Sequence, residues 1–265
     1  MTFAPLKHEG HERDIPVLMR AISWPVVTLV RSIQDLRVTG QNHIPPGPAI
    51  YIANHTSHLD GFVIAVALYE AGVPPRFIAK KELFKGALGA ALRALGQVEL
   101  DRDAPGTMIE QMAESLDKGL SIIIFPEGTF THDPAGWPMR AKTGISRLNE
   151  LRPNIPIIPI SHWGNERIVH QWTGRIRWRM IFTRSEKVLV HIGHPITLTG
   201  KDHKERSNSA MTIIAEEVAR LRKLLGRPMG DPPAERFVPT ELNHHKRRAM
   251  IEARKAKRRP WKKLK

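Results

Sequence analysis

Cysteine is absent from all 265 positions. Its absence excludes disulfides, thiolate zinc sites and a cysteine nucleophile. No run of 18 apolar residues occurs either, so no spanning helix is expected. The Gly-x-Ser-x-Gly elbow of serine hydrolases is missing, and no internal repeat is present. Acidic residues are scarce, 26 Asp and Glu against 41 Lys and Arg, for a net charge of +15. Most of that excess is local. Residues 244–265, "HHKRRAMIEARKAKRRPWKKLK", carry about +10 and the rest of the chain about +5. A tail of this kind fits an anionic partner, either phospholipid or nucleic acid, or acts only as a solvated appendage. No nucleic-acid-binding signature accompanies it.

Hydrophobic residues make up 41% of the chain, enough for a sizeable core. Their periodicity alternates between strand and helix. Residues 48–53, 76–80, 97–100, 120–129, 155–164, 175–182 and 187–193 read as strands. Residues 57–71, 82–96, 107–119, 141–151 and 205–226 read as helices, several of them closed by glycine. The alternation predicts an α/β fold: a single three-layer αβα domain with a mixed central sheet. An N-terminal amphipathic helical segment (1–40), an enzyme-sized domain (41–226) and a basic tail expected to be disordered (227–265) complete the organisation.

The N-terminal segment is "DIPVLMRAISWPVVTLVRSIQDLR", residues 14–37. Arg20, Ser23, Arg31 and Gln34 share one helical face, and Ile15, Leu18, Ile22, Val26, Leu29 and Ile33 the other. That pattern suits a helix lying in a membrane interface and equally one packed on the protein's own body. Trp24 and Trp261, near the amphipathic and basic ends, are placed to anchor at an interface.

The stretch "YIANHTSHLDGF", residues 51–62, concentrates polar chemistry between two apolar runs. As a metal site, His55, His58 and Asp60 would need further ligands such as His162, His191 or His194. The metallo-β-lactamase pattern His-x-His-x-Asp-His is not met, since residue 61 is Gly61. As a helix cap, Ser57 would accept first-turn amides and Asp60 would sit near the positive helix end, which leaves His55 unused. As an acid–base pair, His55 and Asp60 could not face each other on one continuous helix, where they differ by about 140°. If the helix starts at Ser57, however, His55 can fold back from the preceding turn. The carboxylate then orients one imidazole nitrogen and frees the other to take a proton.

Asn54-His55-Thr56-Ser57-His58-Leu59-Asp60 matches an NHxSxxD form of a His-x4-Asp signature. Further blocks follow in order: "FIAKKELFKGALGAALRALGQVELDR" (77–102), "FPEGTF" (125–130), "KTG" (142–144) and "IPIIPI" (155–160). Together they resemble the PlsC-like glycerolipid acyltransferases related to 1-acylglycerol-3-phosphate acyltransferase, over about residues 40–200. The resemblance implies transfer of a fatty acyl group from acyl-CoA or acyl carrier protein to a lysophospholipid hydroxyl. Lysophosphatidate is the expected acceptor, with no metal and no cofactor beyond the thioester co-substrate. It implies His55 as base and Asp60 as its orienter. Arg102, Glu127, Gly128, Thr129 and Lys142 would serve the acceptor, with Asn54, Ser57 and Pro159 supporting.

Glu127 cannot attract phosphate, so it is expected to orient a hydroxyl or a cation such as Lys142. The family commonly has an arginine after the FPEGT threonine, where this chain has Phe130. Lys80, Lys81, Arg140 and Lys142 offer substitute cations, or the acceptor is another lysolipid. The setting implied is peripheral, on the cytoplasmic face of an anionic membrane, held by residues 14–37 and 244–265. The competing readings are a nucleic-acid-binding protein working through its tail and a metallo-hydrolase.

Overall fold

The computed structural model describes residues 17–94, 96–100, 105–169, 175–183, 186–227 and 230–233. Helix α1 (Val17–Ile33) leads into strand β1 (Asp35–Thr39), and β2 (Ile50–Ala53) precedes α2 (Asp60–Glu70). Strand β3 (Ile78–Lys80), α3 (Gly86–Ala94) and β4 (Val98–Leu100) form a small excursion. Then come α4 (Pro105–Asp117), β5 (Ile122–Ile124), α5 (Gly144–Leu151) and β6 (Ile157–Trp163). The last elements are α6 (Trp178–Thr183), β7 (Lys187–Ile192) and α7 (His203–Leu224).

The main sheet has the order β1-β7-β6-β2-β5. It is mixed, because β6 and β7 run antiparallel while the other pairs are parallel. The β3–β4 pair joins alongside through a parallel bridge from Phe77 to Ile123. Every residue of β2 and β6 is buried, as expected of inner strands covered on both faces. Side-chain alternation splits the core in two. Tyr51, Ala53, Ile158 and Ile160 pack with Val63, Ile64 and Ala67 of α2 and Val30 of α1. Ile50, Ile52 and Ile157 pack on the opposite face with Met112 of α4, Leu148 of α5 and Met211, Ile214 and Val218 of α7. The three-layer αβα arrangement is therefore present.

Three local expectations change. Residues 175–182 alternate like a strand, yet 178–183 is helical, with only a bridge from Val169 to Ile176 before it. The sheet leaves that segment no place between its neighbours in sequence, because β6 and β7 pair with each other directly. The N-terminal segment is not separate from the sheet: its helix stops at Ile33 and residues 35–39 form an edge strand of the sheet. The apolar face of α1 is also rotated from the one read in the sequence. Met19, Val26, Val27 and Val30 face inward and Leu29 faces out, while the Arg31 guanidinium forks onto both carboxylate oxygens of Glu70 at 2.5 Å. Among the described residues no helix is long and apolar enough to cross a membrane. The basic tail from 234 onward, like Arg102, lies outside the described residues.

Candidate active site

Strands β5, β2 and β6 are parallel neighbours, and the chain turns after their carboxyl ends bring the polar residues together. His55 follows β2, the FPEGTF turn follows β5, and Asn165 follows β6. This end of a parallel sheet is where open α/β folds place ligands.

Helix α2 begins at Asp60, later than Ser57, so His55 lies in the turn ahead of it. His55 Nδ1 stands 3.0 Å from Asp60 Oδ2. Asp60 is fully buried, and the His55 side chain is 17% exposed. The same Asp60 oxygen accepts the backbone N–H groups of Thr56 at 2.5 Å and Ser57 at 2.7 Å. The Asn165 amide donates to Oδ1 at 3.1 Å. Burial alone would raise the Asp60 pKa, but His162, His55 and the Ser57 amide favour the anion and hold it below the ordinary value. An ionised Asp60 accepts a proton-bearing Nδ1, which leaves Nε2 as the basic nitrogen. Asp60 stands at the first helical position and not the third, and its bond from Ser57 N belongs to the turn ahead of the helix. The Ser57 hydroxyl donates to the Val169 carbonyl and accepts from Leu59 N.

The turn after β5 grips His55 from the other side. Glu127 Oε1 accepts His55 N and Glu127 Oε2 accepts Met139 N, each at 2.9 Å. Thr131 N donates to the His55 carbonyl at 2.7 Å. Both carboxyl oxygens of Glu127 are thus engaged by backbone, and the residue is 3% exposed. Glu127 ties the His55 backbone to the segment around Met139, and among the described residues it makes no ion pair with Lys142. Burial pushes its pKa up to about 8, against the lowering effect of the two amides.

Phe125 stacks on the His55 ring at 4.1 Å, and Phe130 lies on it at 4.2 Å with a tilt of 47°. Phe130, which stands where the family commonly has an arginine, is therefore an aromatic cover on the His55 ring. Gly128 sits at φ 69°, and a Cβ there would come within 2.9 Å of Lys142 Nζ. Lys142 is exposed and drapes over the turn, with its side chain against Gly128. Thr129 is half-buried in the same turn. Arg140 borders a different polar pocket, with Asp202 and Lys204, and Lys81 is exposed beside the short segment before α3.

Asn54 is buried and stitches β2 to β6. Its amide donates to the His162 carbonyl and its oxygen accepts His162 N, both at 3.0 Å. Pro159 is a core residue, paired with Ile52 and packed on Gly193. His162 and Asn165 are the residues that the motif reading did not connect to His55. His162 Nε2 lies 2.7 Å from the Asn54 carbonyl and 3.7 Å from Asp60 Oδ2. Both residues sit more than a hundred positions from Asp60, and no local spacing signals them. His191 and His194 are elsewhere, clustered with His43. Among the described residues no group of three or more His, Asp or Glu is disposed to hold a metal.

An apolar groove of about 280 Å³ runs between α1 and α2, lined by Val26, Val27, Gly61, Phe62, Tyr69 and Phe77 among others. Gly61 adjoins Asp60 in the chain. Phe77 stacks 6.4 Å from Phe125, so an aromatic path connects the groove to His55.

Residues 35–163 match the family described as Acyltransferase. The 1-acyl-sn-glycerol-3-phosphate acyltransferase of Limnanthes douglasii is 31% identical over 147 residues, 54% of this chain and 50% of the relative. The alpha form from Homo sapiens is 34% identical over 131 residues, 47% of this chain and 44% of the relative. The protein of the same name from Pseudomonas aeruginosa is 30% identical over 143 residues, 51% and 53% of the two chains. The chain spans about half the length of the curated relatives it matches. The crystal structure of the 1-acyl-sn-glycerophosphate (LPA) acyltransferase PlsC from Thermotoga maritima superposes with a TM-score of 0.57 at 22% identity. That match covers 77% of this chain and 81% of the other, and shows a shared fold.

Proposed function

We propose, on the premise that over residues 35–163 this chain belongs to the PlsC-like acyltransferase family, that it transfers a fatty acyl group from a thioester to a lysophospholipid hydroxyl. The observation that carries the proposal is the 3.0 Å contact between His55 Nδ1 and a fully buried Asp60, with the His55 ring still reachable. Nε2 takes the acceptor's hydroxyl proton as its oxygen bonds to the thioester carbonyl carbon. The tetrahedral intermediate collapses, the C–S bond breaks, and the imidazolium returns the proton to the departing thiolate. Asp60 stabilises the imidazolium without taking the proton itself.

Lysophosphatidate is the acceptor suggested by the names of the relatives. Lys142, lying over Gly128, supplies a cation for its phosphate. Arg102, placed by motif alone, would supply a second. The donor is acyl-CoA or acyl carrier protein, and the groove lined by Val26, Val27 and Phe77 suits an acyl chain. The enzyme works from the cytoplasmic face of an anionic membrane, where residues 14–37 and the tail hold it. Phe130 in place of an arginine favours a second reading of the acceptor, a lysolipid with a less anionic headgroup.

A panel of lysolipids with labelled acyl-CoA or acyl carrier protein, followed by product separation, tests these assignments. His55→Ala is expected to lower turnover by about 10³-fold or more while the variant still unfolds cooperatively, at a lower midpoint because the buried Asp60 loses a partner. Near-wild-type turnover in that variant would sink the mechanism.

A further inference from the structure

Five of the nine exposed large apolar side chains among the described residues cluster on two contacting elements. Ile176, Trp178 (59% exposed) and Phe182 (83%) belong to α6 and the turn leading into it; Trp24 (70%) and Leu29 (61%) belong to the outer face of α1. Helices α1 and α6 pack against each other. Trp178 and Phe182 are one helical turn apart with ring centroids at 6.5 Å, so they point out together. Scattered single apolar residues are ordinary on a surface, but a contiguous aromatic patch marks a docking face.

The charge around the patch selects the occupant. The segment 175–183, "RIRWRMIFT", interleaves three arginines with its apolar residues and contains no acid. Arg177 and Arg179 are exposed beside Trp178, and Arg20 is exposed on α1. A second copy docking through a two-fold axis would bring these arginines against their own counterparts. An anionic bilayer instead accepts guanidinium at the headgroups and aromatic rings just beneath them.

We propose that α6, together with the outer face of α1, is a docking surface for an anionic lipid bilayer. The proposal rests on the reading that the acceptor is a bilayer lipid, and what it adds is α6, which lies outside both residues 14–37 and the basic tail. The inner side of α1 lines the apolar groove next to Gly61. Seating its outer side on lipid therefore leaves one helix thickness between bilayer and groove.

The cysteine-free chain permits a direct test. Full-length Phe182→Cys and Leu151→Cys are each labelled with a polarity-sensitive dye. Leu151 serves as reference because it is exposed on α5, a helix packed on the opposite face of the sheet. Adding phosphatidylcholine vesicles that contain phosphatidylglycerol should blue-shift the dye at 182 and leave it unmoved at 151. Flotation of unlabelled Trp178→Ser/Phe182→Ser with the same vesicles should show a fall in partitioning of about tenfold or more. Arg177→Gln/Arg179→Gln should lose mainly the part that added salt removes. No shift at 182, or equal shifts at both sites, would overturn the proposal. So would a change in sedimentation of the serine double variant with flotation intact, which would assign the patch to contact between copies. None of these readouts needs acyl transfer, so they stand or fall separately from the enzymatic assignment.

Discussion

Asn165 shows how much of the site depends on residues outside any motif. It is fully buried, and its amide nitrogen is the Asp60 Oδ1 partner contributed by the turn after β6. A hydrogen bond to a buried charge is worth about 1.5–3 kcal/mol, equivalent to about ten- to a hundredfold in rate if it is needed to keep Asp60 ionised and fixed. Asn165→Leu is therefore expected to lower kcat by about that factor with little change in the KM of the acyl donor. Removing a donor to the anion also moves the Asp60 pKa upward, so the acid limb of the pH–rate profile should shift to higher pH. A uniform loss with an unmoved profile would reduce Asn165 to a packing role. The His55–Asp60 pair was legible from its spacing and neighbouring blocks. Glu127 was legible as important but not in its role, because the sequence does not show that both its oxygens end on backbone amides.

Turns and helices set the second scale. The turn through Gly128 positions Phe130 over His55 and Lys142 over itself, and it needs a residue that tolerates φ 69°. An alanine there costs about 1–2 kcal/mol in backbone conformation, and its Cβ would displace the Lys142 side chain, whose Cε lies 2.8 Å from that position. Gly128→Ala should thus raise the apparent KM for a phosphate-bearing acceptor more than that for the donor, as read by varying each substrate separately. Equal effects would argue that Lys142 does not meet the acceptor. The helices themselves were largely legible, since α2, α4, α5 and α7 follow apolar periodicity and stop near glycines or loops. Helix α7 is also N-capped by a side chain, Asp202 accepting Glu205 N at 2.7 Å, while Glu205 accepts Lys201 N just outside the helix at 2.9 Å. The strand expected over residues 175–182 does not form, because an alternating pattern specifies a strand only if a sheet edge receives it.

Across the whole molecule, stability and pH are linked through buried carboxyls. Burial raises Glu127 to about 8 and Glu166 to about 7. Groups shifted in this direction bind protons more tightly when folded. Their contribution is complete below the unfolded carboxylate range near 4.5 and is lost as pH rises through 7 to 8. Asp60, shifted down, acts oppositely and loses its contribution only as pH falls through its own range. Denaturant midpoints should therefore decline from pH 6 to pH 8. Glu166→Gln, whose carboxyl otherwise accepts Gly164 N, should flatten part of that decline. A midpoint that rises over this interval, with the variant parallel to wild type, would refute the linkage.

The sequence alone determined the αβα class, the order of most elements, the pairing of His55 with Asp60 and the turn that follows β5. Each of these depends on periodicity or on residues close together in the chain, where backbone geometry fixes the outcome. Only the tertiary structure decided that residues 35–39 complete the sheet edge, that Glu127 braces His55, and that His162 and Asn165 reach Asp60. It also decided that α1 packs inward through Val26, Val27 and Val30 while turning Trp24 and Leu29 outward, on a helix packed against α6. Those outcomes depend on which surfaces are already covered and which buried polar atoms still need partners, and both are settled only when segments distant in the chain pack together.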